Sequence, residues 1–246
     1  IDGIVAPSER VQRTIQRYGI QVPTRIIPTG VNLEQYQKDS NPQQCREALG
    51  YDAKTPVLLS LSRLAYEKNI QEVIDCFPAI LKEVPDAQLL IVGDGPARTS
   101  LENQVHDLGL EKHVKFTGEI NNDQVYRYYQ AADLFVSASD SESQGLTYIE
   151  AMASHLKVVA KSGPYTDELL DDPSLGKVFD TEGQLVQAIK RYIEHPDEFN
   201  DPRPREKKLY EISADYFGKR IVDYYNSAIS AHADLEHGSK KESGLE

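Results

Sequence analysis

The chain has 246 residues, enough to bury a sizeable core, and 39% hydrophobic with 27% charged residues describes a globular protein rather than a disordered one. Thirty-nine acidic against 27 basic residues leave a net charge of −12, which argues against general binding to a nucleic-acid phosphate backbone. No apolar run reaches the roughly 18 residues of a membrane span, and Cys45 and Cys76 lack the C-x-x-C spacing of a zinc ribbon or the numbers of a disulfide framework, which suits a reducing cytoplasm.

The chain opens at Ile1 inside an apparent strand, without an initiator Met or signal peptide, and reads as a piece of a longer protein. IDGIVAPSERVQRTIQRYGI predicts a short strand, a turn at Pro7-Ser8 and a helix capped by Ser8, with Val11, Ile15 and Tyr18 at helical spacing. Arg10, Arg13 and Arg17 share the other face, read as solvated in preference to an anion-binding stripe. TRIIPTGVNLEQY, punctuated by Pro28 and Gly30, reads as an extended connection between two units. From residue 57 strands and helices alternate. PVLLSLS, AQLLIVG, HVKFTG, ADLFVSA, KVVAK and GKVFD are strands. Helices fall over NIQEVIDCFPAILKEV, which Pro78 should kink or rebond, and over 97–109, 122–131, 145–154 and 182–195. Residues after about 203 look helical, whereas 231–246 show no periodic apolar face and read as a frayed polar tail. Apolar strands alternating with helices of 10–15 residues predict an α/β fold, a doubly wound, mostly parallel Rossmann-like sheet.

Ligands of such sheets sit at the carboxyl ends of the strands. After the PVLLSLS strand, Arg63 and Lys68 could converge on a diphosphate, or be two ordinary surface cations. After AQLLIVG, Gly93-Asp94-Gly95-Pro96 allows a tight turn and close approach to a flat ligand, or simply a strand-to-helix turn; Arg98 breaks the G-x-G-x-x-G pattern. After ADLFVSA, Glu142 falls in a loop and Glu150 about one turn into a helix starting near Gly145. The backbone N–H groups of residues 145–147 then offer an anion site flanked by two carboxylates, an arrangement suited to a sugar nucleotide. The alternative is a helix whose acidic residues only complement its dipole.

As a set, Glu142-x₇-Glu150 with Gly145, Ser62-Arg63-Leu64…Glu67-Lys68-Asn69 and Gly93-Asp94-Gly95-Pro96 resemble the family 4 retaining glycosyltransferases of GT-B architecture, over roughly residues 1–230. LSLSRLAYEKNIQEV, SASDSESQGLTYIEAMAS and KLYEISADYFGKR are similar to the diacylglycerol glucosyltransferases of low-GC Gram-positive bacteria, whose glycolipid can anchor lipoteichoic acid. The resemblance implies the C-terminal half of a GT-B enzyme. Residues 1–24 would close an otherwise absent acceptor domain, 25–230 would bind the donor and 231–246 would form the tail. Arg63, Lys68 and Glu142 would be catalytic, the two cations holding the diphosphate and stabilising the leaving phosphate, and Glu142 taking hydroxyls of the donor sugar. Glu150 would take the ribose hydroxyls, the backbone amides of Gly145, Leu146 and Thr147 the distal phosphate, and Gln144 would also belong to the donor site. Gly93, Asp94, Gly95, Pro96, Gly118 and Ile120 would flank the uracil.

The family's reaction is described as a front-face transfer in which the leaving phosphate assists the incoming hydroxyl, so Glu142 is not a covalent nucleophile. The expected partners are UDP-glucose or another nucleotide sugar, and diacylglycerol through the absent domain, with no nucleic acid. No cofactor is expected. No metal is expected either, since no D-x-D occurs in the chain. The whole enzyme would be cytoplasmic, peripheral to the inner face of the membrane. Other family members, acting on another sugar, a glycosylated lipid or a wall polymer, and a non-catalytic nucleotide-sugar-binding module are the alternatives. Two departures stand out: His155-Leu156-Lys157 replaces a common Gly-x-Pro, placing His155 in a mildly strained turn, and Gln144 stands where many relatives carry an aromatic residue.

Overall fold

The six apolar runs become six strands of one sheet in the computed structural model, which describes residues 2–36, 41–142 and 144–242. Two units divide the chain, residues 1–32 with 210–246, and residues 33–209. The first unit begins with strand β1 (Ile4–Ala6), helix α1 (Glu9–Arg17) and strand β2 (Thr24–Ile26). β1 and β2 pair in parallel, with Ile4 opposite Thr24 and Ala6 opposite Ile26. Ser8 caps α1, its Oγ accepting from the Val11 amide at 3.4 Å. Arg10, Arg13 and Arg17 are exposed, and Arg13 is engaged with Glu9 at 2.8 Å, as on a solvated face. The segment read as a plain connection thus contains a strand, ending just before Pro28.

The second unit opens with α2 (Pro42–Ala48), capped by Asn41, whose Oδ1 accepts from the Gln43 and Gln44 amides. Too short to show periodicity, α2 had no counterpart in the sequence reading. Its Arg46 is 8% exposed and forms a fork on Asp133, 3.1 Å to each oxygen, while also donating to the carbonyls of Asp52, Thr55 and Ala131. Asp133 in turn accepts from the Val57 amide at 2.8 Å and so fixes the start of the central strand.

There follow β3 (Val57–Leu61), α3 (Ile70–Glu83), β4 (Gln88–Val92), α4 (Arg98–Asp107), β5 (Val114–Phe116), α5 (Val125–Ala131), β6 (Leu134–Ser137), α6 (Leu146–Ala153), β7 (Lys157–Lys161), α7 (Pro164–Leu169), β8 (Gly176–Phe179) and α8 (Glu182–Glu194). All six strands from β3 to β8 are parallel, in the order β5-β4-β3-β6-β7-β8. Val57, Leu58, Leu59, Leu89, Leu90, Val158 and Val159 are fully buried, as strands covered on both faces require. α3 continues through Pro78, which has no N–H to return to the Ile74 carbonyl. Ile70, Val73, Ile74, Phe77 and Ile80 of α3 join Leu185, Val186 and Ile189 of α8 in one core cluster. Thr181 and Gln184 close a capping box at the start of α8.

α9 (Pro202–Glu211) and α10 (Ala214–Glu242) complete the chain. The backbone stays helical to Glu242 across most of what reads as a polar tail, and 243–246 lie outside the described residues. Ala231, Ala233, Leu235 and Glu236 are strong helix formers, so the helix persists there without an apolar face.

His155 sits at φ 69°, in the left-handed region expected of it. Its amide donates to Met152 O at 3.0 Å and that of Leu156 to Ala151 O at 2.9 Å, the paired bonds of a Schellman ending to α6. A residue with a Cβ pays roughly 1–2 kcal/mol there, only partly matched by glycine's larger loss of chain entropy. His155→Gly should raise the melting temperature by about 1–3 °C, read by calorimetry; a fall would contradict the strain.

Candidate functional site

The strand order reverses at β3 and β6. From β3 the sheet proceeds through β4 to β5, and from β6 through β7 to β8. β3 and β4 pair over five residues each, whereas β3 and β6 pair only at Leu58–Leu134 and Leu59–Phe135. Ladder pairing between them therefore stops before their carboxyl ends, the position at which open α/β sheets take ligands.

Lys68 and Glu142 face each other across this opening. Lys68 Nζ donates to Glu142 Oε1 at 2.6 Å, with the side chains 23% and 15% exposed. Lys68 ends a 3-10 turn (Tyr66–Lys68), and Asn69 then adopts the left-handed conformation at φ 50° before α3 starts. The Asn69 side chain donates to Glu72 and accepts from Gln71 at 2.6 Å. Glu72 receives Lys161 Nζ at 2.6 Å from the end of β7, and Lys161 also lies 3.5 Å from Asp140. This cluster, invisible in the sequence because its members come from the start of α3, the loop after β6 and the end of β7, stitches the turn carrying Lys68 to the ends of β6 and β7. Arg63 is turned to solvent instead, 68% exposed and paired with Glu67 at 2.7 Å. Glu67 is held below the usual carboxylate range by its own amide, then by Arg63, with a smaller contribution from Lys68.

The glycines after β4 answer to chain packing. A Cβ on Gly93 (φ 131°) would lie 2.0 Å from Ser62 O, and one on Gly95 (φ 156°) 2.5 Å from Leu64 O. Removing those carbons lets the two loops lie together, with Leu64 N donating to Asp94 O and Ala97 N to Leu64 O, both at 2.9 Å. Asp94 accepts from Gly95 N and from Arg98, each at 2.7 Å, and Arg98 holds its carboxyl below the ordinary range. Gly93 N reaches Gly118 O at 3.0 Å, which brings the loop of Gly118 and half-buried Ile120 beside the turn. Pro96 is exposed at the turn's end. The close approach read for a flat ligand is thus made, at these two glycines, to backbone.

Gly145 is the N-cap of α6 at φ 53°, and a Cβ there would stand 2.3 Å from the Tyr165 ring. Tyr165 donates its hydroxyl to Gln144 O and holds the loop from below. The first N–H groups of a helix have no partner within it, so among the described residues the amides of Leu146 and Thr147 are open to an anion, and Leu146 itself is exposed. Glu150, one turn on, is half-buried and receives the Tyr129 hydroxyl at 2.8 Å, while the nearby Tyr36 phenol also favours its ionised form. Burial pushes its pKa up, and the two phenols partly oppose that. The structure therefore unites Lys68 with Glu142 and Gly93–Pro96 with Gly118, and builds Gly145 to Glu150 on one short helix. Tyr36, Tyr129, Tyr165, Glu72 and Lys161 escaped the sequence reading. Among the described residues no group of three His, Cys, Asp or Glu side chains is placed to hold a metal.

The family described as Glycosyl transferases group 1 matches residues 43–209. The chain belongs to that family. It is 41% identical over 233 residues to a Streptococcus pneumoniae protein named alpha-monoglucosyldiacylglycerol synthase, covering 93% of this chain and 53% of that one. A protein of the same name from Acholeplasma laidlawii is 26% identical over 92% of this chain and 60% of its own length. The chain thus spans a little over half of these glycosyltransferases. Among solved structures, Alr3699/HepE of Anabaena in complex with UDP superposes with a TM-score of 0.81 at 24% identity, over 92% of this chain and 64% of that one, a likeness of fold. The GT-B reading of the sheet is borne out by such glycosyltransferase neighbours.

Because Ser62 O is main chain and cannot swing away, Gly93→Ala should cost on the order of 3 kcal/mol and lower the denaturation midpoint without changing the slope. Wild-type stability in that variant would contradict the zippered-loop arrangement.

Proposed function

We propose that this chain is the donor-binding half of a retaining glucosyltransferase that moves glucose from UDP-glucose to diacylglycerol. The observation that carries the reading is the Lys68–Glu142 pair at the strand-order reversal. An ammonium has three donors and a carboxylate two oxygens, so the pair can stay intact while Lys68 reaches a phosphate and Glu142 Oε2 accepts from a sugar hydroxyl. The lipid acceptor is supported by the name of the pneumococcal relative.

In this reading the bond from the sugar's anomeric carbon to the diphosphate breaks and the acceptor oxygen bonds to the same face. The acceptor proton passes to the departing phosphate oxygen. Lys68, with Arg63 swung from Glu67, stabilises charge growing on that phosphate, the electrostatic term that dominates such transfers. The amides of Gly145, Leu146 and Thr147 add to it at the start of α6, beside Gln144. Glu150 takes the ribose hydroxyls, and Gly93, Asp94, Gly95 and Pro96 with Gly118 and Ile120 flank the uracil. The two cations take the part a metal plays elsewhere. Among the described residues no helix is long and apolar enough to cross a membrane, and the proposed work at the cytoplasmic face of the bilayer is peripheral.

Titration calorimetry with UDP, UDP-glucose, UDP-galactose, UDP-N-acetylglucosamine and GDP-mannose tests the assignment, with UDP-glucose expected to bind best. Glu142→Gln should weaken UDP-glucose while leaving UDP nearly unchanged, whereas Glu150→Gln should weaken both. Lys68→Ala should cost UDP about tenfold or more, and Arg63→Ala less, because Arg63 stands in solvent. Preference for GDP-mannose would move the chain to another donor class, and equal UDP losses in the two glutamine variants would refute the division of roles.

A further inference from the structure

Resting on the assignment of Glu150 to the ribose, we propose that Tyr129, backed by the Tyr36 ring packed against it, is a positioning residue for nucleotide binding, its hydroxyl holding the Glu150 carboxylate so that the remaining lone pairs meet the ribose diol in one fixed orientation. The two phenols approach Glu150 from different elements, Tyr129 from α5 and Tyr36 from the segment that precedes α2. Tyr129 is fully buried and Tyr36 is 2% exposed, so neither hydroxyl has solvent as an alternative partner. Their rings meet edge to face at 5.9 Å and 84°, which fixes each against the other. Tyr129 Oη lies 2.8 Å from Glu150 Oε2 and 3.3 Å from Thr147 O. Its single proton goes to the nearer, charged acceptor.

Among the described residues Glu150 forms no salt bridge, and the titratable groups that favour its ionised form are these two phenols. That choice of partner has a chemical consequence. A lysine or arginine there would neutralise the carboxylate and compete with an incoming hydroxyl. A neutral donor, backed by a second phenol, orients it and leaves its charge for the ligand. They also determine when the site can work. Burial raises the pKa of Glu150, and each phenol lowers it again by favouring the ionised form. The ionised carboxylate is acceptor-only and makes the stronger, charge-assisted bonds, whereas protonation commits one oxygen to donation, so affinity for a ribonucleotide falls as pH drops through that raised pKa, above the ordinary glutamate range. Removing a phenol hydroxyl moves this limb to higher pH.

The experiment measures the dissociation constants of UDP and 2′-deoxy-UDP across pH for wild type, Tyr129→Phe, Tyr36→Phe and Glu150→Gln, with thermal melts to verify folding of each. Tyr129→Phe should weaken UDP about tenfold near neutral pH and shift the acid limb upward, while 2′-deoxy-UDP, with one hydroxyl fewer, loses less. Tyr36→Phe should act in the same direction. Glu150→Gln should lose both the affinity and the limb. If Glu150→Gln binds UDP as wild type does, the ribose assignment fails and the clamp with it. If Glu150→Gln loses affinity but both phenylalanine variants keep wild-type affinity and an unmoved limb, the clamp alone is overturned. A Tyr129→Phe protein too unstable to titrate leaves Tyr36→Phe to decide by the same two criteria.

Discussion

β3 and β6 are bonded along only their first residues, and the rest of the site depends on that short pairing. Leu58 and Leu59 meet Leu134 and Phe135, after which the ladder ends while both chains continue toward their loops. Arg46 anchors the starts of these strands by gripping Asp133, whose carboxylate also holds the Val57 amide. Arg46 is buried while Asp133 is 37% exposed, so the pair is held as much by the carbonyls of Asp52, Thr55 and Ala131 that Arg46 also meets as by the charge on Asp133. The start of the pairing is thus clamped and its end is open, and Lys68 and Glu142 occupy the open end. An ion pair at 2.6 Å between side chains this sheltered is more than a surface contact. It fixes two loops that no backbone ladder joins.

Beneath α6 runs a row of rings in which Tyr36 meets Tyr129, Tyr129 meets Phe135, Phe135 meets Tyr148 and Tyr148 stacks on Tyr165. Toward one end Tyr129 places its hydroxyl on Glu150, and at the other Tyr165 places its hydroxyl on Gln144 O. Between them Tyr148 donates to Ser137 Oγ at 2.9 Å, tying the helix to the end of β6. Packed rings have few rotamers, so the row transmits position from the sheet to the first turn of α6. Gly145 is part of the same fit, since the space a Cβ would need is filled by the Tyr165 ring. Burying a carboxylate is costly, and in α6 that cost is offset by phenol donors whose neutrality keeps the charge available to a ligand.

Much of this was legible in the sequence, and the boundary of what was legible is physical. β3, β4 and β7 announce themselves as apolar runs because both of their faces are covered. Glu142, Gly145 and Glu150 are close enough in sequence for their spacing to place them on one loop and helix. Short elements escape: β2 has three residues, α2 seven and α7 six, too few for a period to show. Partnerships between distant loops escape as well. Nothing in the sequence joins Tyr36 and Tyr129 to Glu150, or Lys161 to Glu72, because those contacts exist only once the sheet has ordered its loops. The glycines of the Gly93–Pro96 turn were legible as necessary, but the reason lay in a carbonyl 31 positions earlier, Ser62 O against Gly93.

The central claim is that one nucleotide-sugar site is assembled from the loops that follow β3, β4, β5 and β6. Hydrogen–deuterium exchange of the protein with and without saturating UDP tests it directly, because each loop reports separately. The account predicts slowed exchange over 62–69, 93–97, 117–120 and 144–150, with α1 unchanged. Unaltered exchange in those four segments, with protection appearing instead around the open hollow lined by Leu49, Tyr51, Lys112 and Lys115, would contradict it.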